Sequence, residues 1–331
     1  MKAKQISGII ILTFLLILIS CISVFLGAEK ISPFDFFSSG EDSIERLIIF
    51  ELRLPRIVLC ILCGALLGGS GAVLQGFFRN PLADSGILGI SSGATFGAII
   101  YGFLPAASFS LKFLSPVSLF AFFGGLTAGL LVFFFSLIFK NSSSVTMLLS
   151  GTATGTFFSS LCSLMILLHD KDLHSVFAWT MGSFNAKGWE DVFFFLIPSV
   201  ISLILLLFCA PSLDILGNGE KTARSLGLNI RSMKIFILLT GTLATSSAVC
   251  SGGIISFVGL IAPHVMRSIF GPKHRALIPL SMLAGSSFLL VSDIFARTVT
   301  APSEIPIGII TSLVGVPFFI VVLKKDAYVH S

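Results

Sequence analysis

The sequence predicts an all-α, polytopic membrane protein with ten transmembrane helices and both termini cytoplasmic. Three observations carry that prediction. Hydrophobic residues make up 55% of the 331-residue chain and charged residues only 11%, against roughly 25% charged in soluble domains. Mean hydropathy is +1.02. Apolar runs of about 20 residues, enough to cross a roughly 30 Å hydrocarbon core, recur along the whole chain. Spread over that many crossings, residues 1–331 make a single transmembrane domain.

The elements follow in order. Ile6–Leu26 comes after Met1-Lys2-Ala3-Lys4. Its apolar stretch exceeds a typical signal-peptide core and no A-x-A site follows, so it is expected to be an uncleaved first helix. Further spans are Arg56–Gly76, Ile87–Leu104, Pro116–Phe139, Val145–Leu168, Val192–Ala210, Ala276–Ala296 and Ile307–Leu323. Ile235–Phe270 is too long for one helix and is interrupted by Ser251-Gly252-Gly253 and Pro263. Arg231 and Lys234 precede it, and Arg267, Lys273 and Arg275 close it. Basic residues at both ends place both ends inside, so this stretch crosses twice. The second crossing, around Gly259–Phe270, is short and needs shielding by protein.

Charge placement agrees with that orientation. Of the 21 Lys and Arg residues, 13 fall on the inner side, against 4 of the 16 Asp and Glu. Small residues recur every four positions at Gly64, Gly68, Ala72 and Gly76, at Gly89, Gly93 and Gly97, and at Gly151, Gly155, Ser159 and Ser163. Such stripes let helix backbones approach closely in lipid.

Several function classes drop out. The net charge of +5 is dispersed, with no basic block of the kind that binds nucleic acid. There is no phosphate loop, no H-E-x-x-H and no nucleophile elbow, so no catalytic residue, resident metal or cofactor is expected. His169 and His174 beside Asp170 and Asp172 read as a solvated outer loop. Cys60 and Cys63 form a C-x-x-C, but inside an apolar run they read as small filler. Ion-coupled transporters keep ionisable groups within their spans. Here the clearest is Asp293, which Arg297 neutralises one helical turn away. His264 beside Pro263 reads as a satisfied polar residue rather than a proton relay. The energy for any transport is therefore expected to come from outside this chain.

Two polar features stand out. Arg53-Leu54-Pro55-Arg56 sets two cations at the outer mouth of the second helix. Two readings stay open there: interfacial snorkelling, and docking of a partner's carboxylates. On the inner side, Gly219–Asn229 reads as a short helix ended by Gly227. It is either an ordinary loop or a lever that plugs into a cytoplasmic motor.

The chain from Arg53 onward resembles the FecCD-type permeases of iron-siderophore, haem and cobalamin ABC importers. The resemblance rests on Arg53-Leu54-Pro55-Arg56, Gly71-Ala72-Val73-Leu74-Gln75-Gly76 and Arg79-Asn80-Pro81-Leu82-Ala83 with Gly86 to Gly93. It continues through Ala223-Arg224-Ser225-Leu226-Gly227, Phe257 to His264, Gly271-Pro272-Lys273-His274-Arg275, Asp293 to Arg297 and Ala301 to Gly308. The resemblance implies a ten-helix permease in the cell (inner) membrane. Two such subunits, a homodimer or a pair of paralogues, surround a pathway. Two ATPase subunits sit below and a periplasmic or lipoprotein binding protein above, with membrane lipid around the whole. It implies docking positions at Arg53, Arg56 and Arg297. It implies ATPase coupling through a segment at about 213–230, with Gly219, Lys221, Ala223, Arg224 and Gly227. It implies a cytoplasmic gate at Asn80, Leu82, Ser143 and Ser144. The implied cargo is an iron complex, siderophore or haem, because iron systems are the commoner in the family. A cobalamin importer, or a stand-alone secondary transporter, is the alternative.

Overall fold

The computed structural model describes residues 2–29, 31–32, 34, 36, 43–103, 116–138, 144–168 and 179–329, and every regular element among them is helical. The helices are α1 (Ala3–Phe25), α2 (Leu54–Phe78), α3 (Ile90–Phe103), α4 (Pro116–Ile138), α5 (Ser144–Leu168), α6 (Trp189–Gly217), α7 (Glu220–Ser225), α8 (Ile230–Gly252), α9 (Val258–Phe270), α10 (His274–Thr298) and α11 (Ile307–Val329). Among the described residues, seven stretches are long and apolar enough to cross a membrane; Ile90–Phe103, Val258–Phe270 and Ile307–Val321 are shorter apolar helices.

α2 forms the axis of the bundle, packed against α6, α8, α9 and α10. Helical turns over Ile44–Arg53 run straight into it, so the expected start at Arg56 moves back along the chain. Pro55 sits in its first turn, where the missing N–H costs nothing. The other end stops at Arg79, whose left-handed φ of 51° turns the chain out. α3 begins at Ile90 rather than Ile87 because Gly89, at φ +69°, breaks away from a 3₁₀ turn over Ser85–Leu88. α6 runs through both Pro198 and Pro211 and so outlasts the expected Val192–Ala210.

α1 lies on the outside, packed chiefly on α10 and lined by exposed Ile and Leu. Its Gln5 end touches the Phe270 carbonyl and its Ser23 end meets Arg297. α10 therefore spans two chemically distinct ends of the bundle. His274 faces Gly76 at one, and Asp293 meets Arg56 at the other. About 20 residues of helix separate them, roughly 30 Å.

Within the Ile235–Phe270 stretch the chain turns back on itself. α8 ends at Gly252, whose carbonyl accepts from the Ser183 N–H at the Arg56 end. Residues 254–257 then return without helical structure as far as the middle of α2, where Phe257 starts α9. α9 has only 13 residues and is enclosed by α2, α10 and α11.

Close backbone approach makes this enclosure possible. A Cβ added to Gly71 would overlap the Gly259 carbonyl oxygen, and one added to Gly68 would overlap that of Ser281. Gly71→Ala must therefore push α2 and α9 apart, at a cost of about 1–3 kcal/mol. We expect a clear loss of thermal stability in detergent. Gly102→Ala, with nothing among the described residues within 4 Å, should be neutral or slightly stabilising. Equal melting of the two variants would show that the contact carries no weight.

Candidate functional site

At one end of the bundle, four charged side chains from three elements close on one another. Arg56 Nε and Nη2 donate to Asp293 at 2.9 and 2.8 Å. Its Nη1 donates to both carboxylate oxygens of Glu304 at 2.9 Å. Arg297 Nε lies 3.0 Å from the other Asp293 oxygen, within ion-pair range though not aligned as a hydrogen bond. Arg297 Nη2 also donates to Ser23 Oγ at 2.7 Å. Arg53 turns the other way and clamps the end of α1, donating to the carbonyls of Val24 and Glu29. Two arginines and two carboxylates balance, so the cluster of Arg56, Arg297, Asp293 and Glu304 carries no formal net charge.

The i,i+4 pairing of Asp293 with Arg297 is the one read from the sequence. The arginines differ from the expectation of cations presented outward. Arg53, Arg56 and Arg297 are 5%, 8% and 3% exposed, and Asp293 is fully buried. The physical reason is local. An arginine at the rim of an apolar bundle is costly to bury unpaired, and Asp293 offers both oxygens on the facing helix. Sequence reasoning placed Glu304 in a motif but missed its role. Its one signal was a carboxylate in a proline-bounded loop just ahead of an apolar span.

The opposite end is built around α7. Gly219 and Gly227, at φ +110° and +81°, bracket it. The Gly227 N–H bonds to the Arg224 carbonyl at 3.0 Å and the Leu228 N–H to that of Ala223 at 3.1 Å, the paired bonds of a Schellman stop. Ala223 is buried beneath, while Lys221, Arg224 and Leu226 are exposed. Glu220 pairs with Lys234 of α8 at 2.8 Å. That hydrogen bond from the Lys234 ammonium holds the Glu220 carboxyl below the usual carboxylate range. Asn229 caps α8 through the Ser232 N–H. Nearby, Arg79 donates to the Leu216 carbonyl. Asp214 accepts from the His274 N–H and lies 2.8 Å from its Nδ1, a pairing the sequence reading did not foresee.

Asn80 and Leu82 sit in the loop after α2 at this same end. The Asn80 side chain accepts from the Leu82 N–H at 2.9 Å and leaves Leu82 exposed. Ser143 lies outside the described residues, as does the side chain of Ser144 at the start of α5. His169 and His174 also lie outside them. Among the described residues no group of three His, Cys, Asp or Glu could hold a metal. Cys60 and Cys63 are fully buried free thiols. His264 packs edge-on to Phe318. A cavity of about 590 Å³ opens beside α11, and Thr180, Ser256 and Ser312 supply hydroxyls to an otherwise largely apolar wall.

The charged cluster makes a stability prediction. Asp293→Asn leaves two buried guanidiniums short of a counter-charge and should cost about 3–5 kcal/mol. Glu304→Gln affects a partly exposed partner and should cost much less. Thermal melts of both in detergent would check this. Similar small shifts would show that the cluster does not hold α2 to α10.

Comparison with known proteins places this geometry. The profile of the FecCD transport family matches residues 15–325. The Iron(3+)-hydroxamate import system permease protein FhuG of Bacillus subtilis (strain 168) is 37% identical, over 98% of this chain and 99% of its own. The Cobalamin import system permease protein BtuC of Halobacterium salinarum is 39% identical, over 86% of this chain and 75% of its own. Among solved structures, an inward-facing metal-chelate type ABC transporter superposes with a TM-score of 0.84 at 35% identity, over 96% of this chain and 98% of that one. With the family profile covering nearly the whole length, the chain belongs to the FecCD transport family.

Proposed function

We propose that this chain is the membrane-spanning permease subunit of an ATP-driven importer whose cargo is an iron chelate. It crosses the cell membrane ten times with both termini in the cytoplasm, the α7 end inside and the Arg56–Glu304 end outside. Two copies, or one copy and a paralogue, enclose the pathway. ATP is hydrolysed by two separate subunits, and a binding protein delivers the cargo.

The observation that carries this reading is α7. A six-residue helix held at both ends by glycines and tied to α8 by Glu220–Lys234 is built to move as a unit with the bundle. Its outward side offers Lys221, Arg224 and the 65%-exposed Leu226, a combination suited to an apolar groove with an acidic rim. The coupling segment runs over about 213–230. Gly219, Ala223 and Gly227 shape it, and Lys221 and Arg224 make the contact. Asn80 and Leu82, together with Ser143 and Ser144, form the cytoplasmic gate. At the outer end, Arg53, Arg56 and Arg297 mark where the binding protein docks. Glu304 occupies the accessible side of Arg56, so a partner carboxylate engages Arg56 by taking Glu304's place.

For cargo, the FhuG relative and the metal-chelate transporter both support a metal complex. The cobalamin relative, at similar identity, supports the second reading. A largely apolar, hydroxyl-dotted cavity beside α11 suits loose contact with a bulky chelate either way.

The test is uptake into proteoliposomes holding this permease with its ATPase and binding-protein partners. Uptake of an iron-siderophore or haem should require internal ATP. It should fall at least tenfold for Lys221→Glu/Arg224→Glu with assembly of the permease intact. Glu304→Gln should keep or tighten association of the binding protein. Uptake driven by an ion gradient without ATP would overturn the importer reading. Lost association in a well-folded Glu304→Gln protein would overturn the docking exchange alone.

A further inference from the structure

Where α1 begins, a cavity of about 1020 Å³ opens between the first turn of α1, the last turn of α6 and the first turn of α10. Three cations line it: Lys2, Lys273 and Arg275. All three are exposed, and among the described residues none has a carboxylate within ion-pair distance. The one acid in the wall, Asp214, is turned onto His274 by two contacts of 2.8 Å. Asn218 adds an exposed amide. The cavity therefore gathers positive charge that the protein itself leaves unanswered.

We propose that this cavity binds the headgroup of an anionic phospholipid of the inner leaflet. A phosphodiester fits the chemistry, with three cations to answer one or two negative charges. The choice of lipid over a soluble phosphate rests on what adjoins the cavity. Ile6, Ile10 and Ile17 are 49%, 63% and 56% exposed on α1. At spacings of four and seven they form one continuous apolar stripe that starts one turn above Lys2. A headgroup in the cavity has a track for its acyl chains along that stripe, which a free anion would leave unused. The proposal rests on the reading of this end as the cytoplasmic one. Its consequence reaches further, because the α6 turn lining the cavity leads directly into α7. A bound lipid stiffens the joint that carries the coupling helix.

The experiment is native mass spectrometry of the purified full-length permease titrated with phosphatidylglycerol, phosphatidylcholine and glycerol 3-phosphate. Phosphatidylglycerol should be retained about tenfold more tightly than phosphatidylcholine. Lys273→Gln/Arg275→Gln should erase that preference, since two charges at about fivefold each exceed it. Arg231→Gln, a basic residue of the same end outside the cavity, should keep it. Equal retention of the two lipids by the unaltered protein would overturn the proposal, as would an equal loss in Arg231→Gln. Competition by glycerol 3-phosphate at matching concentrations would make the site one for soluble anions and overturn the lipid assignment. Should the double variant not fold, the lipid ratio and the competition on the unaltered protein still decide. Should the lipid arms fail while ATP-driven uptake persists, the importer reading stands and this proposal alone fails.

Discussion

Lipid tails are as apolar as leucine, so little in a membrane pushes one apolar helix against another. What holds α2 to α9 and α10 is contact between backbones. Gly64, Gly68 and Gly71 face Gly285, Ser281 and Gly259 with no room for a side chain. Two features depend on that approach directly. It lets the 13-residue α9 lie directly along α2. It also brings Arg56 close enough to α10 for its guanidinium to reach Asp293.

The two ends of the bundle solve opposite problems. The Arg56 end must tolerate charge inside an apolar wall, and does so by balancing two arginines against two carboxylates. Pairing of this kind stabilises little in net terms, because desolvation offsets most of the attraction. What it makes costly is the loss of one partner, which would leave a buried charge uncompensated. The α7 end is wet and carries its positive charge on the surface. There rigidity comes from glycine caps and the Glu220–Lys234 tie rather than from burial.

Local features were legible in the sequence and long-range ones were not. The Schellman stop at Gly227 and the Asp293–Arg297 pair follow from spacings of a few residues. The return at Gly252–Gly253 followed from basic residues flanking an overlong apolar run. The inward turn of Arg56 did not, since its partners lie 237 and 248 residues away. The Asp214–His274 contact spans 60 residues and was invisible for the same reason. Of the positions expected at a gate, Asn80 has a structural role in its loop and Ser143 lies outside the described residues. Orientation in the membrane rests on charge bias, which the bundle alone does not encode.

Two-sided labelling tests the central claim, that these ends face opposite sides of the membrane. Single cysteines at Arg224 and Ser303, in a background with the six native cysteines replaced, would be exposed in intact cells to an impermeant maleimide. The account predicts that position 303 labels from outside and position 224 only after permeabilisation. Labelling of both from the same side would contradict it.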